Sequence, residues 1–254
     1  MHVHDYVSEV KLLVAGEHGL VVEFGNIISP KINVFVQQLT RLLTAAAIQG
    51  VLEVVPTYRS VTVYFDPLSI SRQDLSSLIM ELVNEIKPQQ LERLAPRIVY
   101  VPVCYGGVLG PDLEFVARYT GLSAQEVIVI HTSKPYLVYM LGFTPGFPYL
   151  GGLPEQIVVP RQEKPRVKIP AGSVGIGGNQ TGFYPIESPG EWWLIGRTPL
   201  KAFNPQNSNP FLVAAGDYVQ FMDISMDEYF NIRREVAAGT YRPRVSSYVM
   251  EGEG

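Results

Sequence analysis

The chain has 254 residues, 46% of them apolar and 17% charged, with 23 Gly, 20 Pro and a single Cys. That length suits one large or two modest domains, and low charge with frequent Gly and Pro favours a turn- and strand-rich protein over a helical bundle or a disordered tail. A net charge of −4 leaves no broad basic face for nucleic acid, and one cysteine excludes an intrachain disulfide framework or a cysteine-based zinc site.

The first residues, MHVHDYVSEVKLL, lack the basic-then-apolar order of a signal peptide, and no apolar run reaches the ~20 residues that span a bilayer. With its one cysteine, the chain reads as a cytoplasmic protein. His2 and His4 are an isolated pair, read as inert rather than as metal ligands. Val10–Val14 and Leu20–Phe24 are predicted strands around a Glu17-His18-Gly19 turn. Ser29-Pro30 opens a helix whose apolar face is Ile32, Phe35, Val36, Leu39, Leu42, Leu43 and Ala46, with Gly50 as its stop. Leu52–Pro56 and Ser60–Phe65 follow as strands. A second helix starts at Ser71, paired with Asp74 as a cap; it carries Leu75, Leu78, Ile79, Leu82, Val83 and Ile86, and Pro88 ends it. Strands with two amphipathic helices on one side describe a small α+β layer structure of the ferredoxin-like sort.

Residues 88–97 (PQQLERLAPR) read as a linker, and beyond them Gly and Pro punctuate the chain every few residues. Pro111–Thr120 is a short predicted helix closed by Gly121, and Ser123 with Glu126 caps the next. From Leu137 to Phe221 only short strands are predicted: LVYMLGF, QIVVP, RVKIP, WWLIG, LKAF and DYVQF, a pattern of barrels and sandwiches. Asp227–Ala237 reads as a helix stopped by Gly239.

Three stretches concentrate Gly, Pro and aromatic residues: 131–152, 165–190 and 192–200. They are either binding loops held by a rigid scaffold or the tight corners of a small barrel. GSVGIGGNQTG invites comparison with an anion-cradling nest, but it lacks the Gly-Lys-Ser/Thr ending of a phosphate loop and does not fill the GxGxxG dinucleotide fingerprint. His131, expected at a helix C-terminus where the dipole favours its charged form, is either a general acid/base or a capping histidine. Cys104 lies in the apolar strand VYVPVCY and reads as a small buried hydrophobe. If these loops converge at one mouth of the barrel, His131, Gln180 and Tyr184 line a common cleft with Arg166 nearby; Phe143, Phe147, Tyr149, Tyr184, Trp192 and Trp193 would then make an aromatic-lined pocket, with Arg166, Lys168 and Arg197 as a clamp for a carboxylate or phosphate.

The ordered motifs PVCYGGVLGPDL (102–113), GLSAQEVIVIHTSKPYLVYMLGFTPGFPYLGGLP (121–154), PAGSVGIGGNQTGFYPIESPG (170–190) and WWLIGRTPL (192–200) resemble the family of 5-oxoprolinase B subunits. Its relatives are also labelled allophanate hydrolase subunit 1 and, in one branch, the kinase inhibitor KipI. The resemblance implies an α+β fold with a ferredoxin-like domain over residues 1–90, a cyclophilin-like β-barrel domain over 97–225, and a C-terminal helix and tail over 226–254. It implies a chain that works beside a homologous C subunit and a third, A subunit in the ATP-dependent opening of 5-oxo-L-proline to L-glutamate, with ATP and Mg2+ used by the complex. The alternatives it carries are inhibition of a sensor histidine kinase, and one half of a biotin-dependent carboxyltransferase of the urea carboxylase kind. It implies His131 and Arg166 as catalytic residues. Tyr139, Phe147, Tyr149, Ser173, Gln180, Thr181, Tyr184, Ser188, Trp192 and Arg197 follow as substrate-binding residues. No metal ligands are implied. Asn179 and Glu191 depart from the residues expected at those loop positions.

Overall fold

The computed structural model describes residues 10–86 and 96–248. They divide into two compact units at the boundary between Ala95 and Pro96. His2, His4, most of the predicted linker and the last six residues lie outside the described residues.

In the first unit, β1 (Lys11–Ala15), β2 (Gly19–Glu23), β3 (Val51–Pro56) and β4 (Ser60–Phe65) form an antiparallel sheet ordered β1-β2-β4-β3. Helices α1 (Pro30–Ala46) and α2 (Arg72–Glu85) follow β2 and β4. Strict alternation buries Leu20, Val22, Val61, Val63 and Phe65 against Phe35, Leu39 and Leu43 of α1 and Leu75, Ile79 and Val83 of α2. The Ser71 hydroxyl accepts the Asp74 backbone N–H at 3.1 Å, the predicted cap. Gly50 is not the stop of α1. Ala47 takes the left-handed C-cap, while Gly50, at φ +89, turns the chain where a Cβ would come within 2.9 Å of Ile70.

The second unit is built on β5 (Arg97–Tyr105), β6 (Tyr136–Leu141), β7 (Pro148–Gly151), β9 (Ser173–Gly177), β10 (Gln180–Phe183), β12 (Trp193–Arg197) and β13 (Tyr218–Asp223). They run in the order β12-β9-β10-β7-β6-β13-β5, and β5 pairs back to β12 to close a seven-stranded barrel. Only β13 and β5 are parallel. Helices α3 (Leu113–Thr120) and α4 (Ala124–Thr132) separate β5 from β6, and β8 (Arg166–Ile169) pairs with β11 (Ser188–Gly190) as a separate two-stranded sheet. The barrel core is aliphatic and aromatic: Val99, Val101, Val103, Val138, Leu150, Val174, Ile176, Phe183, Ile195 and Phe221. The C-terminal segment belongs to this unit, because β14 (Val245–Ser247), after α5 (Met226–Ala238), pairs with the start of β5. Ser225 and Glu228 form a capping box on α5, as Ser123 and Glu126 do on α4.

Two predicted strands are absent. QIVVP forms a 3-10 turn (Glu155–Ile157) and a single bridge from Val159 to Gly178, and LKAF keeps only the bridge from Phe203 to Phe211. Conversely, the glycine-rich stretch read as loop is the β9–β10 hairpin, with Gln180 opposite Gly177 and Phe183 opposite Val174. Its backbone N–H groups serve the ladder, so it is no anion nest.

Candidate functional site

Alternation along β9, β10 and β12 sends Val174, Ile176, Phe183 and Ile195 into the barrel core. The intervening Gly175, Gly177 and Gly182 therefore leave a bare trench on the outer wall. Trp192 fills it. A Cβ at Gly177 would overlap the indole ring, and one at Gly175 or Gly182 would lie 3.2 Å from Trp192 atoms. Phe147 packs edge-on against Trp192 (5.5 Å between centroids), Tyr184 (5.3 Å) and Tyr149 (5.3 Å), and Phe143 against Phe147 (5.7 Å). Ile169 and Leu194 complete this second, smaller cluster. Edge-to-face rings at these spacings add about 0.5–1.5 kcal/mol per pair beyond area burial.

Five of the six aromatic residues predicted to converge do so, on the outer wall and not at a barrel mouth. Trp193 is the exception: next to Trp192 in the chain and the first residue of β12, it stacks on Phe115 of α3 at 3.7 Å and donates its indole N–H to Pro160 O. At the rim of the cluster Phe143 is 63% exposed and holds φ +65, a left-handed conformation costly for an aromatic residue. Substituting Gly177 by Ala is expected to expel Trp192 from the trench and cost about 1–3 kcal/mol. A red shift and quenching of tryptophan emission would register it, and an unchanged spectrum with unchanged stability would contradict the trench.

A polar rim borders the aromatic residues. Arg166 donates through both Nη atoms to Asp112, at 2.6 and 2.7 Å, and Asp112 also accepts the Leu194 backbone N–H at 2.7 Å. Arg161 donates to Gln180 Oε1 at 2.9 Å and lies 3.8 Å from the Glu191 carboxylate. Burial pushes the Tyr184 phenol up to about 12, although the Trp192 backbone N–H and the nearby Arg161 and Arg166 charges pull it down. At neutral pH Tyr184 is therefore a hydrogen-bonding phenol, not a base.

His131 is not part of this site. It is fully buried in the barrel, stacked on Phe221 at 4.6 Å, with Nδ1 2.7 Å from the Tyr105 hydroxyl and Nε2 2.8 Å from Thr181 Oγ1. The Thr181 hydroxyl donates to Gly175 O at 2.9 Å, so it accepts from His131 Nε2–H, and Nδ1 accepts from Tyr105. Burial lowers the imidazole from 6.5 to about 3, which overrides the helix-dipole preference for the charged form. A neutral, sealed ring with both nitrogens bonded within the fold cannot exchange protons with a substrate. His131 is a structural residue of the barrel core, not a general acid/base.

Other predicted residues scatter. Thr181 is core, as the partner of His131, and Ser173 is 2% exposed. Tyr139 lies against Gly151, where a Cβ would overlap its ring. Ser188 Oγ is buried and has no hydrogen-bond partner among the described residues. Arg197 donates to Ala171 O at 2.8 Å, and Lys168 pairs at the surface with Glu187. The structure brings together Phe147, Tyr149, Arg166, Gln180, Tyr184 and Trp192, and adds Asp112, Arg161 and Glu191, which sequence reasoning did not select as site residues. No local signal marks the Asp112–Arg166 pair, whose members are 54 residues apart. Cys104 is buried and its thiol pushed up by burial, so it is not poised as a nucleophile. Among the described residues no group of three His, Cys, Asp or Glu side chains is placed to hold a metal ion.

Residues 10–213 match the family described as carboxyltransferase domain, subdomain C and D. A Bacillus subtilis protein named as the B subunit of 5-oxoprolinase is 44% identical over 229 residues, covering 87% of this chain and 95% of that one. The solved structure of TTHA0988, 37% identical, has a TM-score of 0.73 over 82% of this chain; the chain spans 40% of that longer one. Urea amidolyase of Saccharomyces cerevisiae is a distant relative, 23% identical over 93% of this chain and 14% of its own length.

Proposed function

The chain belongs to the family of 5-oxoprolinase B subunits, and from that premise we propose that it is one component of an ATP-dependent 5-oxoprolinase that opens 5-oxo-L-proline to L-glutamate. The observation that carries this reading is 44% identity to a protein named as the B subunit of that enzyme, over 95% of its length. On this reading the first unit is ferredoxin-like and the barrel cyclophilin-like. The chain is cytoplasmic and assembles directly with the C subunit of the enzyme, and with its A subunit. Among the described residues no helix is long and apolar enough to cross a membrane.

The chemistry explains why partners are needed. A lactam is a poor electrophile, so ATP phosphorylates the amide oxygen and releases ADP; one water attacks the activated carbon and the ring C–N bond breaks to leave an acyl phosphate, which a second water hydrolyses to glutamate and phosphate. That demands cations for the transferred phosphoryl group and a base for the water. This chain offers an aromatic cluster with two arginines and protonated phenols, but its one barrel histidine is sealed away and its cysteine is buried. We therefore assign it substrate binding, and assign the base and the ATP with its Mg2+ to the assembled complex.

Glutamate release and ADP formation are expected only when this chain and the A and C subunits are all present. Omitting each in turn checks it, and full turnover by this chain alone overturns the partner-dependent reading. Since the matching family is described as a carboxyltransferase, carboxyl transfer from biotin is the second reading. It would be favoured by an inert three-component mixture together with transfer activity once a biotinylated carrier is supplied. Tight binding to a sensor kinase, again without turnover, would favour the regulatory reading.

A further inference from the structure

A carboxylic acid bound beside the aromatic cluster needs a cation that is held in place and not already neutralised. Arg166 fails the second condition, because the buried Asp112 carboxylate takes both its Nη atoms. Arg161 meets both. Its neighbours are tied down on either side: Trp193 Nε1–H donates to Pro160 O at 2.7 Å, Gln162 N–H to Glu191 O at 2.8 Å, and the Gln162 amide to Trp192 O at 3.2 Å. Two residues before Arg161, Val159 is bridged to Gly178 in the turn between β9 and β10. The Arg161 backbone is thus pinned to the Glu191–Trp193 segment and, through Val159, to the turn that leads into Gln180, the preorganisation an anion site requires.

The guanidinium is only partly engaged. Nη2 donates to Gln180, while the Glu191 carboxylate stays 3.8 Å from Nη1, well beyond the roughly 2.7–2.9 Å of a charge-assisted hydrogen bond. Both side chains of that pair are about half exposed, at 51% and 45%, so a loose pair in water contributes little and a better-placed carboxylate displaces it. The Arg161 charge also reaches Tyr149 and Tyr184, on both of which it acts to lower the phenol pKa. Gln180, which holds the guanidinium, precedes Thr181, and Thr181 pairs with Leu150 next to Tyr149, so cation and aromatic edge are adjacent.

We infer that Arg161, oriented by Gln180, is the carboxylate anchor of the site, binding a small cyclic acid whose ring lies against the Tyr149 edge of the aromatic cluster. The inference rests on the oxoprolinase reading for the identity of that acid, and on the geometry of Arg161 for the place. Arg161→Gln in the assembled complex is expected to raise KM for 5-oxo-L-proline on the order of 10- to 100-fold, with KM for ATP unchanged. Arg161→Lys should recover part of the loss, since Lys keeps the charge but not the planar fork. An unchanged KM in Arg161→Gln, in a complex that turns over, overturns the inference and leaves the oxoprolinase reading standing. If the wild-type complex does not turn over, the reading fails, and calorimetric titration of the complex with 5-oxo-L-proline decides the inference alone. Binding that is lost in Arg161→Gln supports it, and no binding, or binding that survives, overturns it.

Discussion

Replacing His131 with Ala is expected to destabilise the barrel by about 4 kcal/mol while leaving the turnover of correctly folded complexes nearly intact. The substitution removes a fully buried ring stacked on Phe221 and strands the Tyr105 hydroxyl in the core, while the Thr181 hydroxyl keeps its bond to Gly175 O. A cavity of that kind and an unsatisfied buried hydroxyl each cost a few kcal/mol. Urea denaturation measures the loss, and activity normalised to folded complex separates it from catalysis. A general acid/base would instead lose on the order of 10²- to 10⁴-fold in turnover with little change in stability. That outcome would refute the structural role.

The same burial fixes a pH dependence. The imidazole titrates near 3 in the folded chain against 6.5 when solvated. The unfolded state therefore binds the extra proton between those values. Stability from this group is complete above about pH 6.5. As pH falls from there toward 3 it is lost, at up to about 1.4 kcal/mol per unit. His131→Ala should flatten this part of the acid limb, and an identical slope in the variant would place the acid sensitivity elsewhere.

The second large effect is expected at Asp112. Its carboxylate neutralises Arg166, accepts the Leu194 backbone N–H, and stands at the N-cap of α3. Asp112→Ala leaves a guanidinium and a buried amide without their acceptor. Breaking a buried pair from one side costs about 3–5 kcal/mol; because Arg166 keeps a third of its side chain in solvent, the lower end, about 3 kcal/mol, is expected. Asp112→Asn, which retains an acceptor for Leu194, should lose less. A loss below about 1 kcal/mol for the alanine variant would mean that Arg166 simply swings into water.

Features that depend on neighbouring residues were legible in the sequence. Ser71 with Asp74, Ser123 with Glu126, and the left-handed caps at Gly121 and Gly239 each act within one helical turn, so the residues that define them are adjacent in the chain. The alternation of Val61, Val63 and Phe65 likewise announces a strand with one buried face. The long motifs carried the family, and with it the expectation of a barrel.

What depends on distant residues was not legible. Glycines at 175, 177 and 182 read as turns because glycine weakens a strand by itself; here they are strand residues, small because Trp192 occupies the space where side chains would stand. Trp192 and Trp193 look equivalent in sequence, yet Trp192, in the bend just before β12, joins the outer cluster while Trp193, the first residue of β12, stacks on α3. His131 meets Tyr105 and Thr181 across 26 and 50 residues. Its helix-end position favoured the charged form, but burial among barrel strands decided the neutral one, since desolvating an imidazolium costs more than an exposed helix dipole returns. The sequence by itself determined the helices, the caps of α2 to α5 that adjacent residues supply, and the family. Closure of the barrel decided which aromatic residues meet, which arginine is already paired, and which histidine is sealed, because each of those outcomes turns on strand register between segments far apart in the chain.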